Sequence, residues 1–171
     1  MPDAKALERL AHLIDAEHED GPVVRGLTQT AARAEIEIAP EAIVPALERL
    51  RGESYTMLMS LHGVDYLPDE PRLGVAYELL SMTLQDRVSV KLRVPLGSPH
   101  VPSVTPRWPT ADYQEREAFD MFGIVFDGHP DLRRILMPED YLGHPQRRDF
   151  PIGGEPVLFT ESEPGNPGWW K

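Results

Sequence analysis

The chain contains no cysteine. That excludes disulfides, thiolate nucleophiles, cysteine-ligated zinc and any iron–sulfur cluster held on its own thiolates. Positive charge is scarce: 17 Lys and Arg stand against 28 Asp and Glu, a formal net charge of -11. Nucleic-acid binders carry basic patches that release counterions, so that class is excluded. Long apolar runs are missing too. The most apolar window, residues 55–64, is ten residues long and contains His62, whereas a helical membrane span takes about 20. The first eight residues are polar and lack the apolar core of a secretory signal. Any membrane connection is therefore expected to run through a partner. The phosphate-cradling patterns G-x-x-x-x-G-K-[ST] and G-x-G-x-x-G do not occur, and Gly153-Gly154 alone reads as a turn.

What is present is a chain of 171 residues, 41% of them hydrophobic. A globular chain of this size buries roughly 70% of its unfolded surface, so it needs no metal or disulfide to hold it. Proline is in excess, with 18 residues, about twice the usual share of ~5%. Seven of the prolines fall in residues 128–171.

Ala4, Leu7, Ala11 and Ile14 recur at helical spacing, which predicts a helix from Asp3, its cap, to about His18. Val23 to Gln29 and Ala34 to Ala39 read as short strands. Glu41 to Arg51 returns to helical spacing, with Pro45 tolerable only near the first turn. Three strands follow: Tyr55 to Leu61, apolar enough to be covered on both faces; Leu73 to Leu84; and Val88 to Val94, which alternates. Thr110 to Phe122 is helical again, and Gly123 ends it. From Gly128 onward no period of 2 or 3.6 is sustained. The expected fold is α+β: a two-layer sandwich of helices on a mixed sheet over residues 1–127, with an extended, Pro-rich C-terminal arm over residues 128–171.

The chemistry-bearing residues cluster late. At about 100° per residue, Ala111, Glu115, Ala118 and Phe122 share one face of their helix. Glu115 therefore interrupts an apolar stripe, and a buried carboxylate must be neutralised, hydrogen-bonded or paired. It reads either as a general acid or proton relay, or as half of a structural ion pair; the structural reading is favoured, with Arg133, Arg134, Arg147 and Arg148 as candidate partners. Arg116 and Asp120 lie on the other face, four residues apart, and are expected to pair weakly. Two His-Pro pairs follow. His129-Pro130 stands beside Asp131, Arg133 and Arg134, and His144-Pro145 beside Arg147, Arg148 and Asp149. A metal site on His129 and His144 is disfavoured, since H-x-H and H-x-x-x-H spacings are missing. A catalytic dyad is disfavoured too, since no nucleophile is marked. The favoured reading is that His and Arg cap carbonyls and pair with carboxylates, fixing the arm. Trp169-Trp170 would then be buried on a partner.

Residues 115–136, EREAFDMFGIVFDGHPDLRRIL, followed by MPEDYLGHPQRRDFP, closely resemble the family of C subunits of respiratory complex I, the NADH–quinone oxidoreductase. Glu115, Arg116, Glu117 and Asp120 fill an E-R-E-x-x-D signature. Gly63-Val64-Asp65-Tyr66 looks like the family's G-V-D-Y segment. Gln146 and Asp112 depart from the family's usual Leu and Asn. The resemblance implies a non-catalytic structural subunit of the hydrophilic arm, with no catalytic, cofactor-binding or metal residues on this chain. FMN and the iron–sulfur clusters would sit on partner subunits. It implies contact with the quinone-site large subunit and the terminal-cluster subunit, at the cytoplasmic face of a cell membrane. Two alternatives are a homologous subunit of a membrane-bound hydrogenase or of a ferredoxin- or deazaflavin-linked dehydrogenase, and a stand-alone metal-dependent hydrolase using His129, His144 and nearby carboxylates.

Overall fold

The computed structural model describes residues 2, 4–18, 21–30 and 34–151. Helix α1 (Ala4–Asp15) buries Leu7, Leu10, Ala11 and Ile14. The Asp15 carboxylate accepts the amides of Val23 and Val24 at 2.8 and 2.9 Å, which steers the chain into strand β1 (Val24–Gln29). Strand β2 (Ala34–Ile38) alternates buried Ile36 and Ile38 with wetter Glu35 and Glu37. A 3-10 turn at Pro40–Ala42 then leads into α2 (Ile43–Gly52). Pro45 falls in the first turn of α2, where an amide has no intrahelical acceptor to lose. Strands β3 (Met57–Asp65), β4 (Leu73–Ser81) and β5 (Asp86–Val94) follow.

These five strands form one sheet in the order β1-β2-β5-β4-β3. The β2–β5 pair is parallel and the other pairs are antiparallel, so the sheet is mixed. One core cluster joins the inward residues of the sheet to Leu7 and Ile14 of α1, Leu47 and Leu50 of α2, and Ala118 and Phe122 of a third helix, α3 (Ala111–Phe122). The other face is polar and carries a Glu35–Lys91 ion pair at 2.7 Å. The chain is thus an α+β domain with its helices layered on a mixed sheet.

Two expectations need correction. The strand read at Tyr55 to Leu61 is not covered on both faces: it starts at Met57 and forms the sheet edge, with Met57 51% and Met59 47% exposed. A methionine-rich strand reads as apolar whether or not it is covered, so composition alone misleads. Two three-residue strands, β6 (His100–Pro102) and β7 (Val125–Asp127), pair in parallel where the sequence shows no strand. Strands that short carry no measurable period. The segment between β5 and α3, punctuated by Pro99, Pro102, Pro106 and Pro109, is thereby held against the chain that leaves α3. The Asp3 cap and Trp169-Trp170 lie outside the described residues.

Helix α3 ends as expected. Gly123 takes φ +75° and its amide donates to the Phe119 carbonyl at 2.8 Å. Its packing on β3 depends on Gly63, where an added Cβ would stand 2.4 Å from Cδ2 of Phe122. Gly63→Ala is therefore expected to push α3 off the sheet and cost about 1–3 kcal/mol, as overpacking does. A lowered urea midpoint at unchanged slope checks it.

Candidate functional site

The signature residues meet along α3, and the arm runs beside that helix from its N-terminal to its C-terminal end. At the start, the His129 ring is fully buried. Its Nε2 donates to the Asp112 carbonyl at 3.2 Å, and its Nδ1 accepts the Asp131 amide at 3.0 Å. Those two bonds fix the neutral Nε2–H tautomer. One turn on, Arg116 donates to the carbonyls of Arg133 and Arg134, both at 3.2 Å.

Asp120 forms the centre. Its side chain is fully buried. Oδ2 accepts the amides of Ile135, Leu136 and Met137 at 3.0, 2.8 and 2.8 Å, and Oδ1 accepts Arg134 Nη1 at 2.6 Å. Arg134 Nη2 reaches on to the Gly143 carbonyl at 2.9 Å. One carboxylate thus holds three successive arm amides and the arginine just before them.

The second His-Pro group closes the helix end. A helix leaves its last four carbonyls without intrahelical donors. The Gly123 amide takes that of Phe119. His144 Nδ1 donates to the Asp120 carbonyl at 2.9 Å, the Gln146 amide to Met121 at 3.2 Å, and Arg147 Nε to Phe122 at 2.7 Å. A histidine and an arginine donor at a helix C-terminus also suit its negative dipole end. A Cβ on Gly123 would come within 2.4 Å of Arg147 Nη2 and 2.5 Å of His144 Nε2, so this glycine serves both its own turn and the arm's approach.

The arm is then tied to the sheet. Buried Asp65, at the end of β3, accepts Arg72 Nε at 2.9 Å and Nη2 at 2.7 Å, the Leu67 amide at 3.0 Å and the Arg148 amide at 2.8 Å. Arg72 also donates to Asp149 through Nη1 at 2.8 Å and Nη2 at 2.6 Å. Arg148 bonds the Leu67 carbonyl. Arg133 pairs with Asp131 at 2.9 Å on the surface, where such a pair contributes little. Glu117 is exposed, beside the crevice between β3 and α3.

Two expected pairings are not made. Glu115 is buried as the helical arithmetic requires, but it bonds no arginine. Its Oε2 accepts the Ser103 hydroxyl at 2.7 Å and its Oε1 the Val104 amide at 2.8 Å, with His129 Nε2 4.0 Å away. The four candidate arginines are engaged elsewhere, with Asp120, Asp131, Phe122 and Leu67. Nor do Arg116 and Asp120 pair, because the arm covers their face and supplies each with better partners. Sequence reasoning misses Arg72 and Ser103: each lies in a stretch without periodicity, and nothing local ties either to its partner carboxylate.

The electrostatics follow these contacts. Arg72 beside Asp65 and Asp149 holds both carboxyls below the ordinary range, the gain outweighing burial. Asp120 is also lowered: burial pushes it up, but three amides and Arg134 outweigh that. Burial lowers His144. A lowered group binds its proton in the unfolded chain before it does so in the fold, so stability rises with pH across that window. Acid is therefore expected to undock the arm in two stages. Weakening begins below 6.5, from His144, and steepens below 3.8, from the three aspartates. Glu115, raised by burial, works the opposite way, favouring the fold most below 4.5. Hydrogen exchange at the amides of Ile135, Leu136 and Met137, referenced to Val90 in the core, measures the sequence of events.

This architecture, an α+β domain clasped by its own C-terminal arm, matches a known class. The family model described as "Respiratory-chain NADH dehydrogenase, 30 Kd subunit" matches residues 36–156, and the chain belongs to that family. Among its relatives, the C subunit of the NADH-quinone oxidoreductase of Roseiflexus sp. (strain RS-1) is 46% identical over 164 residues, covering 94% of this chain and 90% of that protein. The corresponding protein of Salinispora arenicola is 50% identical over 132 residues, covering 75% of this chain. That match spans only 54% of the Salinispora protein, so the chain corresponds to about half the length of some relatives. A trypsin-resistant fragment (1-134) of Nqo5 superposes with a TM-score of 0.63 at 30% identity, over 74% of this chain and 98% of the fragment. A chain from the structure of a membrane-bound sulfane sulfur reductase, an archaeal respiratory membrane complex, shares the fold at a TM-score of 0.71 and 23% identity, over 91% of this chain and 95% of that one. Among the described residues no helix is long and apolar enough to cross a membrane.

Proposed function

We propose that this chain is a non-catalytic, structural subunit of the hydrophilic arm of a proton-translocating NADH–quinone oxidoreductase. It supports electron transfer from NADH to quinone by packing against the quinone-site large subunit and the terminal-cluster subunit. FMN and the iron–sulfur clusters belong to its partners, and the complex presents the chain at the cytoplasmic face of the membrane. One observation carries the reading. The polar groups of the signature and its sequel, buried Asp120 and half-buried Arg134, His144 and Arg147, are spent on backbone amides, helix-end carbonyls and one another. Side chains used in that way brace a segment of chain and leave substrate chemistry to others.

Affinity capture of the tagged chain from its native membranes tests the reading. The expected result is retention of flavin- and cluster-bearing subunits with quinone-dependent NADH oxidation in the eluate, while the chain purified alone oxidises no NADH and holds no flavin. Retention of hydrogenase or ferredoxin-oxidising subunits would move it to a related complex. Hydrolytic activity of the lone chain dependent on a stoichiometric metal would overturn the reading.

A further inference from the structure

Glu115 is the one fully buried carboxylate of α3 that receives no arginine, and its setting has an order of its own. Ser103 and Thr105 stand on the loop that β6 and β7 hold against the helix; the Ser103 amide donates to the Asp127 carbonyl at 2.8 Å. From Glu115 Oε2 the contacts run 2.7 Å to Ser103 Oγ and then 2.8 Å to Thr105 Oγ1. Thr105 lines an open hollow of about 320 Å³, together with Pro106, Pro109, Asp112, Gly128 and Pro130. A continuous line of oxygen atoms therefore runs from a buried carboxyl to Thr105, a residue 8% exposed at the wall of that hollow.

We propose that Glu115, Ser103 and Thr105 form a proton-exchange site, in which Glu115 takes up and releases a proton through the two hydroxyls.

The hydrogen-bond inventory permits both directions. With Glu115 ionised, Thr105 Oγ1–H donates to Ser103 Oγ, and Ser103 Oγ–H donates to Oε2. With Glu115 neutral, Oε2–H donates to Ser103 Oγ, and Ser103 Oγ–H donates to Thr105 Oγ1. In either state Ser103 Oγ accepts two bonds, one of them from the Thr105 amide at 3.2 Å, and donates one. A hydroxyl can do no more. The Val104 amide stays on Oε1 throughout. Uptake moves one proton from water to Thr105, the Thr105 proton to Ser103 and the Ser103 proton to Glu115; release is the reverse.

The surroundings favour the neutral form without forbidding the charged one. On α3 itself, Asp112 opposes ionisation of Glu115; from the arm, the His129 ring stands 4.0 Å away with its Nε2–H on the Asp112 carbonyl. From β4, Tyr77 faces it fully buried, and Tyr77 Oη has no hydrogen-bond partner among the described residues. Burial is the larger influence and holds the Glu115 carboxyl above the ordinary carboxylate range.

The full chain, labelled with 13C in glutamate carboxyls, gives the test. One resonance, assigned by its loss in Glu115→Gln, is expected to titrate above all other glutamates. On transfer to D2O, the infrared band of that carboxylic acid is expected to shift while the amides of β4 and β5 remain protonated. Thr105→Val is expected to slow that shift at least tenfold and Thr105→Ser to restore it. A Glu115 resonance that titrates with the ordinary glutamates would overturn the proposal. So would a carboxyl that exchanges only together with the core amides. Wild-type exchange in Thr105→Val would remove the hydroxyl route.

Discussion

Asp120→Ala is expected to destabilise the chain by about 3–5 kcal/mol and to release residues 128–151 from α3, because removing one member of a buried pair leaves the rest uncompensated. The carboxylate accepts from Arg134 and from three consecutive amides. Alanine would leave all four donors to find water, and residues 135–137 have no other ladder to join. Asp120→Asn keeps the shape but turns one acceptor oxygen into a donor, so it should recover little. Denaturant unfolding gives the energy. Fast hydrogen exchange confined to residues 128–151 would show that the arm has come off while the sheet persists.

Asp65→Ala should have the second largest effect, about 3 kcal/mol by the same reasoning. It strips Arg72 of two hydrogen bonds and leaves the amides of Leu67 and Arg148 without their acceptor. The clamp at Asp65 holds the far end of the segment whose near end Asp120 holds. Either variant alone leaves the arm tethered, and the free energy of one clamp includes the ordering that the other already supplies. The double variant is therefore expected to depart from additivity, since both sites act on one segment. A double-mutant cycle in urea measures the coupling, and strict additivity would mean that the two clamps hold separate pieces of chain.

Much of this is legible in the residues. The stripe Ala111, Glu115, Ala118, Phe122 places Glu115 inside, and the structure buries all four. The alternation of β2 and the glycine that ends α3 are equally direct. Periodicity, however, only reports the face an element turns to a regular neighbour. Asp120 lies opposite that stripe, where a helical pattern alone predicts a solvated face. It is buried because an irregular segment, which has no period to read, lies over it. Arg72 stands 77 positions from Asp149, and nothing local marks either for the other. The partner of Glu115 escapes the sequence for a different reason: the arginines are near in the chain, but the paired strands β6 and β7 bring a serine hydroxyl and an amide closer.

The measurement that bears most directly on the structural role is made in membranes of cells whose only copy of this chain carries Asp120→Ala. The amount of assembled complex and the NADH–quinone turnover per assembled complex are determined together. The account predicts that the assembled amount falls severalfold while turnover per complex stays at the wild-type value. Full assembly with lost turnover would contradict it and place Asp120 in the chemistry.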